Sequence, residues 1–267
     1  MSASASRVLH SLLDLSGKTA LITGASRGIG ASTADLLAMA GADLVLCSRH
    51  IHVQETVNHF QERFGQKPLV VRADVSDAQA MWHVVESARE RFGGIDILVN
   101  NAAINSTVPL LEADEHEWLQ VLQTNLIGIA RLCNLVVPDM MAKRWGRIIN
   151  LSSNLGQFAL KNKGVYSAAK AALMQLTRSM ALEWSGYNIL VNDIAAGAVN
   201  TDMSANTEGS ESFTRDYSQI TRSILLGRMA DPKDIAHVVL FLASSLSSFI
   251  TGQSIVVDGG ASIWFAH

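Results

Sequence analysis

The chain is predicted to fold as a doubly wound α/β structure with a parallel sheet, and three observations predict it. Seven short runs rich in valine, isoleucine and leucine alternate with longer stretches of helical periodicity. A glycine-rich turn follows directly behind the first of those runs. The chain has 267 residues, of which 48% are hydrophobic, enough for one large core.

Strands are expected at residues 18–23, 44–48, 69–73, 95–100, 147–151, 189–194 and 254–257. Crossover helices are expected at 29–40, 53–64, 78–92, 116–142, 166–184 and 232–243. Strands this apolar, separated by helices, belong to a parallel sheet covered on both faces. Gly41, Gly65 and the pair Gly93-Gly94 read as helix stops, and Asp77 and Asp114 as N-caps. No repeat, linker or low-complexity block divides the sequence, so one domain over 1–267 is expected. Residues 200–229 lack periodicity and are rich in Ser, Thr, Asn and Gly. A loop that long behind a strand end is expected to shape a substrate site.

Composition excludes several function classes. A formal net charge of -3 offers no basic field for nucleic acid or anionic membrane. No apolar run approaches the roughly 20 residues needed to span a bilayer. Residues 1–15 are Ser-rich and read as a frayed tail, without the apolar stretch of a secretory signal. Cys47 and Cys133 stand far apart, as expected of buried thiols in a reducing, cytoplasmic setting. The eight histidines form no ligand constellation, and no metal site is expected.

The turn behind the first strand reads Thr23-Gly24-Ala25-Ser26-Arg27-Gly28-Ile29-Gly30 and opens into a helix. Gly24 permits a tight turn, Gly28 lets backbone approach a pyrophosphate, and Gly30 lets helix and strand pack closely. The helix N-terminus adds free N–H groups and partial positive charge. The motif in that context points to dinucleotide binding. Its Thr-Gly-x-x-x-Gly-x-Gly spacing resembles the cofactor loop of the short-chain dehydrogenase/reductase family, and the resemblance extends over nearly the whole chain. It implies a Rossmann-type sheet of seven strands.

In NAD-preferring folds of this type a carboxylate ends the second strand and repels a 2′-phosphate. Here that strand ends in Ser48-Arg49-His50, with Ser48 at the acid's position, and Arg49 and Arg27 suit a phosphate. NADP(H) is therefore the expected cofactor, with NAD(H) as the alternative. By the same resemblance Asp74 and Val75 contact the adenine. Asn101, Ala102 and Ala103 form the turn after the fourth strand, where Ala103 replaces the family's glycine. Gly197, Val199 and Thr201 resemble the set that binds the carboxamide, where Ala196 replaces its proline and leaves the turn freer.

Tyr166 and Lys170 stand at i and i+4 at the start of a helix, so both project from one face. A nearby ammonium favours phenolate and would bring the phenol toward neutrality, the condition for acid/base work. The resemblance adds Ser153 as the hydroxyl that bonds the substrate oxygen, and Asn125 as the holder of a water on Lys170. It also gives Lys170 a second duty on the nicotinamide ribose. The chain thus reads as an oxidoreductase acting on a small alcohol or carbonyl compound, with Tyr166 as acid/base. Two other readings compete. A cofactor-binding scaffold without turnover would fit the Ala103 and Ala196 departures. A sugar-nucleotide epimerase or dehydratase would want a longer C-terminal substrate domain than 200–229 offers. Apolar character in the last segment, Ile263 to Phe265, and in the longest helices suggests an interface, and the resemblance implies a homotetramer.

Overall fold

A computed structural model of the chain describes residues 11–201 and 221–263. Most of the expected substrate loop, and Trp264 and Phe265 of the expected interface, lie outside the described residues.

The strands are β1 (Thr19–Thr23), β2 (Asp43–Ser48), β3 (Leu69–Arg72), β4 (Ile97–Asn100), β5 (Gly146–Ser153), β6 (Ile189–Ala196) and β7 (Ser254–Val257). The helices between them are α1 (Gly28–Met39), α2 (Val53–Phe64), α3 (Ala78–Phe92), α4 (Glu115–Leu122), α5 (Gly128–Lys143), α6 (Gly164–Trp184) and α7 (Pro232–Ala243). The sheet order is β3-β2-β1-β4-β5-β6-β7, with every pair parallel. Winding therefore reverses between β1 and β4. The loops leaving those two strands diverge there and open a crevice at the carboxyl edge of the sheet.

Strand alternation divides the core. Leu21 of β1 joins one cluster, with Val84 of α3, Ile129 of α5 and Leu173 of α6. Its neighbours Ala20 and Ile22 join the other, with Leu37 of α1, Phe60 of α2 and Val239 of α7. Successive side chains point to opposite faces, so helices cover both. Asp77 caps α3 by accepting from Gln79 N and Ala80 N, and Asp114 caps α4 by accepting from Glu117 N, as the sequence suggests.

Differences from the sequence reading have local causes. β4 begins two residues later than expected, at Ile97; just before it the Asp96 carboxylate accepts from Thr19 N at 3.0 Å and Lys143 Nζ at 2.9 Å. β5 and β6 run on together to Ser153 and Ala196, which are paired in register. The expected helix at 116–142 is in fact α4 and α5 joined by a π-helical turn at Gln123–Ile127. Together they form one helical stretch of 29 residues, Glu115–Lys143, long and apolar enough by composition to cross a bilayer, contrary to the sequence reading. Its apolar stripe is spent inside the protein. Ile129, Leu132, Cys133, Val136, Val137 and Met140 recur at helical spacing and are buried against the sheet.

Candidate active site

The glycine turn is built around close backbone approach. Gly24 and Gly28 have φ of +66° and +57°, the left-handed region that glycine enters without strain. A Cβ on Gly30 would stand 2.2 Å from the Gly24 carbonyl oxygen, so no side chain fits where α1 meets β1. A Cβ on Gly28 would project toward Thr201 Cγ2, 3.1 Å away across the cleft. Arg27 stands at the N-cap of α1 and its side chain makes no capping bond to the helix, and the first turn holds no acid. The first-turn N–H groups thus point into the cleft as an anion site, and the residues present fit a dinucleotide.

The loop after β4 is locked to this turn. Thr23 Oγ1 accepts from Asn101 N and Ala102 N, both at 3.0 Å. The Asn101 amide donates to Thr23 O at 2.9 Å and to Gly24 O at 3.1 Å. Positive φ among the described non-glycine residues occurs at Arg144, Asn162 and Asn188, so Ala103 carries no left-handed strain. Ala196 is a paired residue of β6, held by β5 on one side and β7 on the other. The sheet ladder there replaces the fixed angle of a proline, and the freer turn expected from sequence does not arise.

At the end of β2 the Ser48 hydroxyl lies 3.1 Å from that of Ser26. Arg49 is exposed, with Nη1 3.7 Å from Asp74 Oδ2. Asp74 is itself oriented by Ser76, whose N and Oγ donate to it at 2.8 and 2.7 Å. Those bonds and the Arg49 charge hold its carboxyl below the usual range against the opposing effect of burial, which is the largest single influence.

Ser153, Tyr166 and Lys170 line the same cleft as Gly24, Arg27, Asp74, Ala102 and Gly197. The cleft encloses about 1130 Å³. Ser153 is the last residue of β5, and its hydroxyl is bonded to the half-buried Tyr166 phenol. Lys170 is 2% exposed, and its Nζ donates to Leu151 O at 2.7 Å. Burial pushes the phenol up to about 12, with the Ser153 bond opposing, so a lowered phenol is not what this structure holds. The physical reason is direction: the ammonium is aimed at a carbonyl and lies 5.6 Å from the Tyr166 ring centroid. Burial also lowers Lys170 to about 8, opposed by the Asp193 carboxylate.

Asn125 sits in the π-helical turn, fully buried. Its Oδ1 accepts from Ile104 N and its Nδ2 donates to Ile104 O, each at 2.9 Å. The amide is thus a brace between the long helix and the loop after β4.

Two polar residues of this region escape sequence reasoning. Asp193 of β6 is fully buried and accepts from Ser152, and from Ser254 at 2.5 Å. Burial raises its carboxyl above the usual range, opposed by the Ser152 and Ser254 hydrogen bonds and then by the Arg178 and Lys170 charges. Lys163 stands one residue before α6 and also lines the cleft. Its spacing of three from Tyr166 is a helical signal, but a helix expected from 166 hides it; the observed helix begins at Gly164.

The family described as enoyl-(acyl carrier protein) reductase matches residues 24–262. A 3-oxoacyl-[acyl-carrier-protein] reductase of Vibrio cholerae is 37% identical over 248 residues, covering 93% of this chain and 98% of the relative. The trans-4-hydroxycyclohexanecarboxylate dehydrogenase of Sinomonas cyclohexanicum is 39% identical over 249 residues, covering 91% and 92%. A gluconate 5-dehydrogenase from Burkholderia cenocepacia, solved with NADP and tartrate, superposes with a TM-score of 0.87 at 30% identity, covering 96% of this chain and 100% of that one.

The buried Lys170 ammonium carries a stability cost with a definite pH signature. Its value falls from 10.5 to about 8 on folding, so between those values the unfolded chain holds a proton that the folded chain has released. Stability therefore rises with pH through that window, and the cost is fully present below it. Urea denaturation of wild type and Lys170→Met should show the variant's relative stability dropping by about 3 kcal/mol between pH 7.5 and 10.5. A difference that does not change with pH would remove the buried charge from the account.

Proposed function

The chain belongs to the short-chain dehydrogenase/reductase family, and on that premise we propose that it is an oxidoreductase moving hydride between NADP(H) and the carbon of an alcohol or carbonyl compound. The observation that carries this reading is the convergence of Ser153, Tyr166 and Lys170 on one cleft with the glycine cradle. The nicotinamide, when bound, gives hydride to the carbonyl carbon or takes it from the alcohol carbon. Tyr166 moves the balancing proton to or from the oxygen. Burial keeps the phenol protonated at neutral pH, the form that gives a proton to a carbonyl oxygen. Ser153 donates to the same oxygen and stabilises its developing charge. Lys170 binds the ribose, and Asn125 acts as a positioning residue through Ile104. The remaining cofactor contacts fall to Gly24, Ser26, Arg27, Gly28, Ile29, Gly30, Asp74, Val75, Asn101, Ala102, Ala103, Gly197, Val199 and Thr201. Two hydroxyls aimed at one oxygen favour a carbonyl over the carbon–carbon double bond of the matched family description.

NADP(H) preference rests on Ser48 in place of an acid, on Arg27 and Arg49 at the same end of the cleft, and on the NADP held by the gluconate 5-dehydrogenase. That neighbour also holds tartrate, and the Sinomonas relative is named for a hydroxy acid, so carboxylate-bearing substrates head the panel. We assign the protein to a reducing cytoplasm, where Cys47 and Cys133 stay free; both are buried, and burial raises each thiol to about 12. A homotetramer is supported by exposed apolar side chains on α4, α6 and the C-terminal region: Leu119, Leu182 (83% exposed), Phe249 (103%) and Ile263.

Arg49→Asp combined with Arg27→Ala should move the NADPH-to-NADH ratio of kcat/KM toward NADH by about tenfold or more, since charge-assisted bonds are lost and a repelling carboxylate is installed. A wild type that already prefers NADH would sink the cofactor assignment. Light scattering at micromolar concentration should return four times the 28.7 kDa chain mass, and a monomer would reject the assembly. Tyr166→Phe keeps the ring and removes the proton. Turnover should fall by about 10² to 10⁴-fold with NADPH affinity, followed by cofactor fluorescence, nearly intact. Retention of more than about a tenth of wild-type kcat would reject Tyr166 as the acid.

A further inference from the structure

Asp193 has no part in the chemistry derived above, yet it is a fully buried carboxylate close to the reacting groups. Aspartate is almost never buried to that degree unless it is paired. Its place in β6 turns it toward α6. Ile189 and Val191, at alternate places earlier on the strand, pack in the cluster that holds Leu173 and Met180 of α6, so strand alternation puts the Asp193 side chain on the same face. Asn150 of β5 donates to Thr177 of α6 at 2.8 Å, so Ser152, at the next alternate place, lies on that face too. Ser152 engages one oxygen of Asp193, and Ser254 of β7 engages the other at 2.5 Å. Lys170 lies about two helical turns before Thr177 and shares its side of α6. Its Nζ donates to the carbonyl of Leu151, the residue before Ser152. Carboxylate and ammonium are thus tied to neighbouring residues of β5.

We propose that Asp193 is a positioning residue that acts through Lys170, as the buried counter-charge that keeps the ammonium charged without occupying the N–H groups the cofactor needs. The proposal rests on the oxidoreductase reading, which gives Lys170 its place on the ribose. An ammonium carries several N–H donors, and a carboxylate bonded to it head-on would take one of them. Leu151 O already takes another. Because a hydroxyl engages each Asp193 oxygen, the attraction acts through space and leaves donors for the cleft that Lys170 lines. Burial lowers Lys170 to about 8 and Asp193 opposes it, so without the carboxylate the proton would leave at lower pH still. The other charged and titratable groups described around the pair come from α6 itself: Tyr166, with its ring centroid 5.6 Å from Nζ, and Arg178, which acts on Asp193. The neighbouring elements present neutral groups. β5 and β7 offer serine hydroxyls, the π-helical turn offers Asn125, and α4 meets α6 through Val121, Val165 and Ala169.

The test follows NADPH affinity by cofactor fluorescence from about pH 6 to 10 with the full chain. Binding draws on the ammonium, so wild-type affinity should fall as pH rises through about 8. Asp193→Asn keeps the shape and removes the charge, and should move that fall to lower pH by about one unit or more, the effect of one close charge. Asp193→Ser should do the same. Added to Lys170→Met, Asp193→Asn should weaken NADPH no further, since its effect runs through the ammonium. An unshifted fall in either folded variant would overturn the proposal, and so would an added loss in the Lys170→Met background, which is what a mere strut would give. If neither variant folds, the wild-type curve decides: affinity lost below about pH 7 overturns the proposal, and affinity held to about pH 8 supports it. NADPH bound with no carbonyl compound reduced would end the oxidoreductase reading and leave these curves to judge Asp193. No NADPH binding at any pH would end both.

Discussion

The crevice at the carboxyl edge of the sheet depends on how tightly the turn after β1 and the loop after β4 are bound to each other. Thr23 accepts two backbone N–H groups from the second loop, and Asn101 returns two bonds to the first. The contact admits no side chain, because a Cβ on Gly24 would stand 2.8 Å from Asn101 Nδ2. Parallel strands alone would leave these loops free to part at the point where winding reverses. Cross-bonding fixes them at one spacing, and the cleft inherits its shape from that spacing. Asn125 extends the same frame by holding Ile104, two residues beyond Ala102, to the long helix.

Behind this frame the protein carries charge where burial opposes it. Asp193 and Lys170 are both nearly inaccessible, and each hydrogen-bonds to neutral groups. Ser152 and Ser254 satisfy the Asp193 carboxylate from the neighbouring strands β5 and β7. Leu151 O accepts a hydrogen bond from Lys170 Nζ. A chain selected for stability alone would fill such positions with apolar groups, since buried charges seldom repay their desolvation. Their retention beside Tyr166 marks the region where stability has been given up for electrostatics.

How much of this was legible in the sequence follows from the range of the forces involved. Alternating apolar runs and helical spacing are local, so seven strands and the helices between them are readable, with ends displaced where the pairing of Ser153 with Ala196 carries β5 and β6 further. The glycine turn was readable because its spacing encodes backbone geometry. The direction of the Lys170 ammonium was not, since it depends on a carbonyl 19 positions away. The same holds for Asp193, whose partners lie on two other strands, and for the π-helical turn, which carries no distinctive residue pattern. Lys163 was lost to a two-residue error in a helix start, which is within the ordinary uncertainty of element ends.

The π-helical turn also constrains chain length. It holds one residue more than α geometry needs, so the faces of α4 and α5 are offset by about 100° relative to an uninterrupted helix. Deleting one residue there would restore regular hydrogen bonding while rotating one half against the other. Asn125 would swing away from Ile104, or the α5 stripe from the sheet. Residues 123–127 therefore act as a length gauge between two packed bodies, and substitution is easier to absorb there than any gain or loss of a residue.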